Sequence, residues 1–420
     1  MSTLLIEGGR PLSGRVVVGG NKNAALPLLA ACLLTREECV LTNVPRIGDV
    51  AVMAHLLADL GAEVEGIGSS TLRVRCREVV KDQPVASLVG RLRGSVLLLG
   101  PMLARRGRAH LAPPGGDFPA RRTIAMHLRA LEAMGARQVE GEGHRLEVAD
   151  AGLRGASMYL EEASVTGTET ALLAAAAAEG VTEIRHAACE PHVVELCAFL
   201  AKMGARVEGT GSHTIRVEGA PRLRGATHEL SGDYIEAGSW AVVAAVTGGA
   251  IEVAGAGAAE MEVVASVLGR MGVRAEFGDR LFRVEPSSPA GGGRITTGLW
   301  PGVPSDLISL ITVLATQARG ETLLHDWMYE LRLFALEQLS GMGADLFLCD
   351  PHRIIVSGPR RLRGRALDTR DLRSGMALAA AALCADGQSR LGPVETVERG
   401  YADLLGNLKA LGAQVERADA

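Results

Sequence analysis

The strongest constraint on the fold is a repeat. An apolar stretch with helical spacing, ending in Leu-Gly or Met-Gly and followed by a strand-like run, occurs six times, with its glycine at Gly61, Gly135, Gly204, Gly272, Gly343 and Gly412. The separations are 74, 69, 68, 71 and 69 residues. Spacing this even marks six copies of one supersecondary unit. Each glycine stands where a helix stops and the chain turns back into a strand, a position whose left-handed backbone disfavours any residue with a Cβ. Upstream runs such as Val52–Leu60 are amphipathic at helical spacing, and downstream runs such as Leu72–Cys76 and Thr214–Val217 alternate. The unit is therefore α/β. Its period of about seventy residues exceeds that of solenoid repeats, roughly 20–50, so the units are expected to pack in threes as two globular halves that meet near residue 230.

A chain of 420 residues is long enough for more than one core. With 47% hydrophobic and 22% charged residues it is neither disordered nor membrane-spanning, and Met1–Leu5 lacks the basic start and apolar run of an export signal. A cytoplasmic protein is expected. The seven cysteines (Cys32, Cys39, Cys76, Cys189, Cys197, Cys349 and Cys384) are scattered and never spaced C-x-x-C, so they read as small buried hydrophobes and not as disulfides or zinc ligands. A net charge of −4 and only 3% aromatics leave little to attract or stack nucleic acid. Any anion site must be local.

Three constellations carry chemistry. In Gly19-Gly20-Asn21-Lys22-Asn23-Ala24-Ala25-Leu26-Pro27, glycines leave a strand, Lys22 and Asn23 take the turn, and a helix starts with Pro27 in its first turn. Backbone N–H groups at such a start, beside a lysine, suit a phosphate or carboxylate. The loop Pro113-Pro114-Gly115-Gly116-Asp117-Phe118-Pro119-Ala120-Arg121-Arg122, with His127 beyond it, has the composition of a lid that carries an acid to a substrate. In the second half, Asp306, Asp371-Leu372-Arg373 and Glu398-Arg399-Gly400-Tyr401 each place charge where a helix is expected to open. Capping accounts for aspartates there. An arginine facing the positive end of a helix needs an anion.

These motifs, with Asn43-Val44-Pro45-Arg46-Ile47-Gly48-Asp49-Val50, Ser164-Val165-Thr166-Gly167-Thr168-Glu169, Glu190-Pro191 and Ile235-Glu236-Ala237-Gly238, fall in the order seen in UDP-N-acetylglucosamine enolpyruvyl transferases. The chain resembles that family, which includes EPSP synthase, over nearly its whole length. The resemblance implies a two-domain inside-out α/β barrel of six modules, with residues 22–230 as the N-terminal domain and residues 1–21 plus 231–420 as the C-terminal domain. It also implies phosphoenolpyruvate and a uridine nucleotide sugar as substrates, with no metal and no cofactor. By the same resemblance Lys22, Arg122 and Arg399 grip phosphoenolpyruvate, and Arg93 and Arg332 add anion contacts. Asn23, Ser164, Val165, Thr166, Asp233 and Glu236 orient the nucleotide sugar. Asp306 is the carboxylate on the attacking 3′-hydroxyl, Asp371 lies near the reacting carbons, and Arg373 is a neighbouring cation. The implied role is the first committed step of peptidoglycan synthesis.

The sequence departs from the family's pattern in places. Asp117 replaces the loop cysteine of most relatives, which the epoxide fosfomycin alkylates, so a fosfomycin-resistant enzyme is expected. Thr123-Ile124-Ala125-Met126-His127 replaces a Pro-Val-Asp-Leu-His of the uracil pocket, Gly232-Asp233-Tyr234 a Pro-Asp-Arg, and Leu331-Arg332-Leu333 an Asn-Arg-Phe. Those changes leave open a paralogue acting on another nucleotide such as UMP. An enzyme transferring to shikimate 3-phosphate and a catalytically silent relative that only binds a ligand are competing functions.

Overall fold

The computed structural model describes residues 2–116, 123–149, 152–278, 280–329 and 332–419. The chain forms two compact units, Gly20–Ser231 and Met1–Gly19 with Gly232–Ala420. Among the described residues there are six sheets, and each unit holds three.

Five of the six sheets share one plan: an edge strand pairs parallel with a central strand, which pairs antiparallel with a second central strand, which turns antiparallel into the other edge. In Gly20–Ser231 the strands Ser157–Tyr159, Val181–Arg185, Thr214–Glu218 and Arg206–Glu208 follow it. The sixth, of Arg108–Leu111, His144–Val148 and Ala136–Gln138, is three-stranded and antiparallel. Strands such as Thr214–Glu218 alternate exposed and buried residues, so one face of the sheet is wet and the other covered.

The covering elements are helices buried on every side. In the helix Lys22–Cys32 every residue from Ala24 onward is buried; in Val165–Ala175 every residue from Gly167, in Tyr234–Thr247 all but Thr247, and in Ile308–Gln317 all but Gln317. Leu372–Cys384 is buried from Arg373 to Leu383, and the 3₁₀ turn Arg93–Leu98 continuing into Leu99–Arg106 is buried from Gly94 to Leu103. Three of these helical segments pack together inside each unit. Such close approach needs small side chains: a Cβ at Gly100 would lie 3.2 Å from the Ala174 nitrogen. This is why the interior runs are alanine-rich, and why a chain with few aromatics still fills its cores.

A second set of helices, including Gly48–Asp59, Pro191–Met203 and Ala258–Arg270, exposes one face to solvent and ends at the repeat glycines. All six of those glycines have positive φ, from 70° at Gly272 to 114° at Gly204. No helix among the described residues is long and apolar enough to cross a membrane.

Candidate active site

Most of the described candidate residues stand at the N-terminal ends of the inner helices, three of which lie in each unit. In Gly20–Ser231, the Asn21 side chain caps the helix Lys22–Cys32 by accepting the N–H groups of Asn23 (2.8 Å) and Ala24 (3.3 Å). Two of the N–H groups at this helix start are thus taken by the cap. Pro27 lies inside the helix and not in its first turn, where it forgoes a bond to the Asn23 carbonyl. Lys22 heads the helix, its ammonium 2.8 Å from an Asp49 carboxylate oxygen. Asp49 is only 3% exposed, so this is a nearly dry ion pair that fixes the lysine's position.

Arg93 opens the second inner segment, and its Nη2 donates to the Thr123 carbonyl at 2.7 Å. At the other end of that loop the Gly115 N–H reaches the Val89 carbonyl at 3.2 Å, and a Cβ on Gly115 would lie 2.0 Å from the Gly90 oxygen. Both ends of the loop are therefore fastened to Val89–Arg93, at one end through a backbone approach only glycine permits. Asp117 and Arg122 lie outside the described residues. Ser164 caps the third helix, its Oγ accepting from the Gly167 N–H at 3.2 Å, with Val165 and Thr166 in the first turn. His127 is buried and bridges one turn of that helix, from Thr166 Oγ1 (3.3 Å) to Thr170 Oγ1 (2.9 Å). Deeper in the same helix, burial and then the charge of Glu190 push the Glu169 carboxyl well above its ordinary range.

The other unit gathers a denser set. Asp306 lies in the 3₁₀ turn Ser305–Leu307 that leads into Ile308–Gln317, and it does not cap the helix. Its two oxygens are divided between arginines: Oδ1 accepts from Arg332 Nη1 at 3.0 Å, and Oδ2 from Arg373 Nε at 3.1 Å and Nη2 at 2.9 Å. Arg373, 4% exposed, is the second residue of its helix, and Asp306 is the anion such an arginine requires. Burial opposes its charge, but Asp306, then Tyr401 and Asp233, outweigh that and raise its pKa. Arg332 is shifted the same way, against burial, chiefly by Asp306, and its guanidinium lies 4.0 Å from the centre of the Tyr329 ring. Asp233 caps Tyr234–Thr247 through the N–H groups of Ile235 (2.9 Å) and Glu236 (3.1 Å). Asp371 caps Leu372–Cys384 by accepting from the Arg373 and Ser374 N–H groups and the Ser374 hydroxyl. Capping therefore accounts for Asp371.

One expectation is corrected outright. Glu398-Arg399-Gly400-Tyr401 does not open the last helix; Glu398 ends the short helix Val394–Glu398, Arg399 is its C-cap, and the last helix, Leu404–Ala410, is capped by Asp403. At a C-terminus the dipole favours a cation, so the position of Arg399 does not by itself demand a bound anion. Asp326, which nothing in the sequence marked, is fully buried and accepts from Thr297 Oγ1 (2.8 Å) and Ser305 Oγ (2.7 Å), while Ser305 Oγ also takes a bond from Arg332 (3.0 Å). It is a second carboxylate on the Asp306 clamp. The role of Asp49 as partner to Lys22 was likewise invisible, because the two are neighbours only in three dimensions.

Helix ends that present buried cations and clamped carboxylates are suited to charge and acid–base chemistry on small anionic molecules. The EPSP synthase (3-phosphoshikimate 1-carboxyvinyltransferase) family matches residues 6–408. The chain is similar to the UDP-N-acetylglucosamine 1-carboxyvinyltransferases of Treponema denticola, 41% identical over 99% of both chains, and Treponema pallidum, 42% identical over 99% of both. Its fold is similar to that of the enolpyruvyl transferase NikO from Streptomyces tendae, with a TM-score of 0.89 and 25% identity over 100% of this chain and 99% of that one. EPSP synthase from Acinetobacter baumannii shares the fold at a TM-score of 0.77 and 19% identity, each chain covered in full. The chain belongs to the EPSP synthase family and is an enolpyruvyl transferase.

Proposed function

We propose that this enzyme transfers the enolpyruvyl group of phosphoenolpyruvate to the 3′-hydroxyl of UDP-N-acetylglucosamine and releases phosphate, the first committed step of peptidoglycan synthesis. What carries the reading is the end-to-end similarity, at about two residues in five, to relatives that bear that acceptor in their name. The chemistry of the site supports it. A proton is added to C3 of the enol phosphate, the acceptor oxygen bonds to C2 as Asp306 takes the hydroxyl proton, and a tetrahedral adduct forms. Loss of a C3 proton and cleavage of the C2–O bond then release phosphate. Lys22, Arg93, Arg122 and Arg399 are assigned to the anionic groups of phosphoenolpyruvate, where cations stabilise the adduct. Asn23, Ser164, Val165, Thr166, Asp233 and Glu236 are assigned to the nucleotide sugar, and Asp371 to the surroundings of the reacting carbons. Arg332 and Arg373 act through their hold on Asp306.

Phosphate release with phosphoenolpyruvate and a panel of acceptors tests the assignment. UDP-N-acetylglucosamine should support turnover, whereas turnover with UMP or shikimate 3-phosphate and none with the nucleotide sugar would replace it. Asp306→Asn removes the proton acceptor and should lower kcat by roughly 10²–10⁴-fold.

Asp117 is assigned the proton given to C3, in place of the thiol found in most relatives. A carboxylate attacks an epoxide far more slowly than a thiolate, so incubation with fosfomycin and acceptor should leave residue 117 unmodified. Five of the seven cysteines are buried, and burial raises the Cys197 thiol to about 11 and Cys384 to about 12, so neither offers a thiolate in its place. Asp117→Cys should gain one adduct by intact mass and become inactivated with time. A stoichiometric adduct at residue 117 of the parent protein would overturn the assignment.

A further inference from the structure

We propose that Tyr401 and Ser239 are positioning residues for this reaction, holding the Arg373 guanidinium in the orientation that grips Asp306. The inference rests on the reading above in which Asp306 takes the hydroxyl proton.

The hydrogen-bond directions in this part of the unit are fixed by donor counting. Tyr401 is fully buried, with its hydroxyl 2.8 Å from Ser239 Oγ and 3.3 Å from Arg373 Nη1. Ser239 Oγ also lies 2.7 Å from the Ile235 carbonyl, which can only accept. The single serine proton goes to that carbonyl, so the proton between the two hydroxyls belongs to Tyr401. The phenol oxygen then turns a lone pair to Arg373, which can only donate. One arrangement satisfies every group: Arg373 donates to Tyr401, Tyr401 to Ser239, and Ser239 to the backbone of Tyr234–Thr247.

This chain does something the ion pair alone does not. Asp306 Oδ2 takes both Nε and Nη2 of Arg373, which defines one edge of the guanidinium, and Tyr401 defines Nη1. The guanidinium carbon also lies 5.6 Å from the centre of the Tyr401 ring, within the range of a cation–π contact. Burial raises the pKa of the phenol, so it keeps the proton that the relay requires. The other charged groups acting on Arg373 and Tyr401 are Asp233 and Glu236, and Arg332 faces Asp306 from its far side. The relay links two inner helices of this unit, those of Ser239 and Arg373, to the 3₁₀ turn of Asp306 that leads into the third. A displacement of about 1 Å in a catalytic group can cost on the order of 10²-fold in rate, so a fixed guanidinium matters beyond stability.

The test uses the full chain with Tyr401→Phe, which keeps the ring and removes the oxygen, together with Ser239→Ala and the double variant. Tyr401→Phe should lower kcat about tenfold, as expected when a buried charged donor loses its acceptor, with KM for phosphoenolpyruvate within about twofold of the parent. The acid limb of the kcat–pH profile should move upward, because Asp306 is less firmly held as the anion. Ser239→Ala should act in the same direction by a smaller factor. The double variant should be no slower than Tyr401→Phe, since both act along one path. If Tyr401→Phe fails to fold, Ser239→Ala carries the same readouts. A folded variant with kcat within twofold of the parent and an unmoved acid limb would overturn the inference, and so would losses that multiply in the double variant. Asp306→Asn separates the two levels: full activity there removes the underlying reading, whereas an inactive Asp306→Asn beside a fully active Tyr401→Phe removes only the positioning role.

Discussion

At Glu236 burial and a neighbouring carboxylate oppose a hydrogen bond and an arginine. The carboxyl is 4% exposed, and burial followed by the negative charge of Asp233 raises its pKa from 4.5 to about 8, while the Trp240 N–H at 3.3 Å and Arg373 pull it back. Burial is the largest of these effects and wins. Between about pH 4.5 and pH 8 the folded protein therefore holds a proton that the unfolded chain releases, so this group's contribution to stability falls as pH rises through that window. Glu236→Gln keeps an acceptor for Trp240 and cannot ionise. Its stability relative to the parent should be lowest below pH 4.5, grow by at most about 1.4 kcal/mol per pH unit as pH rises, and level off above pH 8. Denaturant melts of both proteins at pH 5, 6.5 and 8 measure the difference, and a gap independent of pH would show that Glu236 is ionised throughout. At this scale the sequence was readable where a rule forced a partner: an arginine at a helix N-terminus called for an anion, and Arg373 has Asp306, 67 residues away. Asp49, Asp326 and Tyr401 obey no such local rule. Their meaning arises only when distant segments pack together.

Elements were readable where a physical requirement recurs. A helix that must reverse into a strand leaves a glycine, and the six positive-φ glycines at even spacing give the module count that the six sheets display. The inner helices announce themselves differently. Runs such as Ala171–Ala178 and Met376–Ala382 have no polar face, which is the mark of a helix buried on every side and not of an amphipathic one. Their N-terminal ends, where Lys22, Ser164, Asp233, Asp306 and Arg373 sit, thereby become the places where charge reaches the edge of each core. Helix ends were harder to place. Val394–Glu398 spans five residues, too few for a helical period to show, so the direction in which Arg399 meets its helix came out reversed. Pro27 misled for a related reason: proline suggests a first turn, but a helix held by its neighbours tolerates one missing bond further along.

For the whole molecule, the N-terminal segment is the part whose place is least evident from chain order. Ser2–Glu7 is not an edge strand; it lies between Gln388–Gly392 and Gln414–Asp419, antiparallel to both. Ser13–Val17 then pairs parallel with Ala250–Ala254 in a second sheet of the same unit. Thus two of the three sheets in the unit made of Met1–Gly19 and Gly232–Ala420 need strands supplied from the start of the chain, whereas Gly20–Ser231 is one continuous stretch. Deleting residues 2–12 removes the fully buried Leu4 and Ile6, worth about 1.5–3 kcal/mol each, and leaves the facing edges of two strands without partners. The loss should exceed the stability of a unit this size, which for natural domains is roughly 5–15 kcal/mol, once ladder bonds are added to the lost burial. The deletion should therefore unfold that unit and spare the other. Limited proteolysis of the truncated protein should yield a protected fragment close to residues 20–231 that still melts cooperatively, with residues 232–420 degraded. Survival of the C-terminal residues with an unchanged melting profile would mean that the N-terminal strand is dispensable.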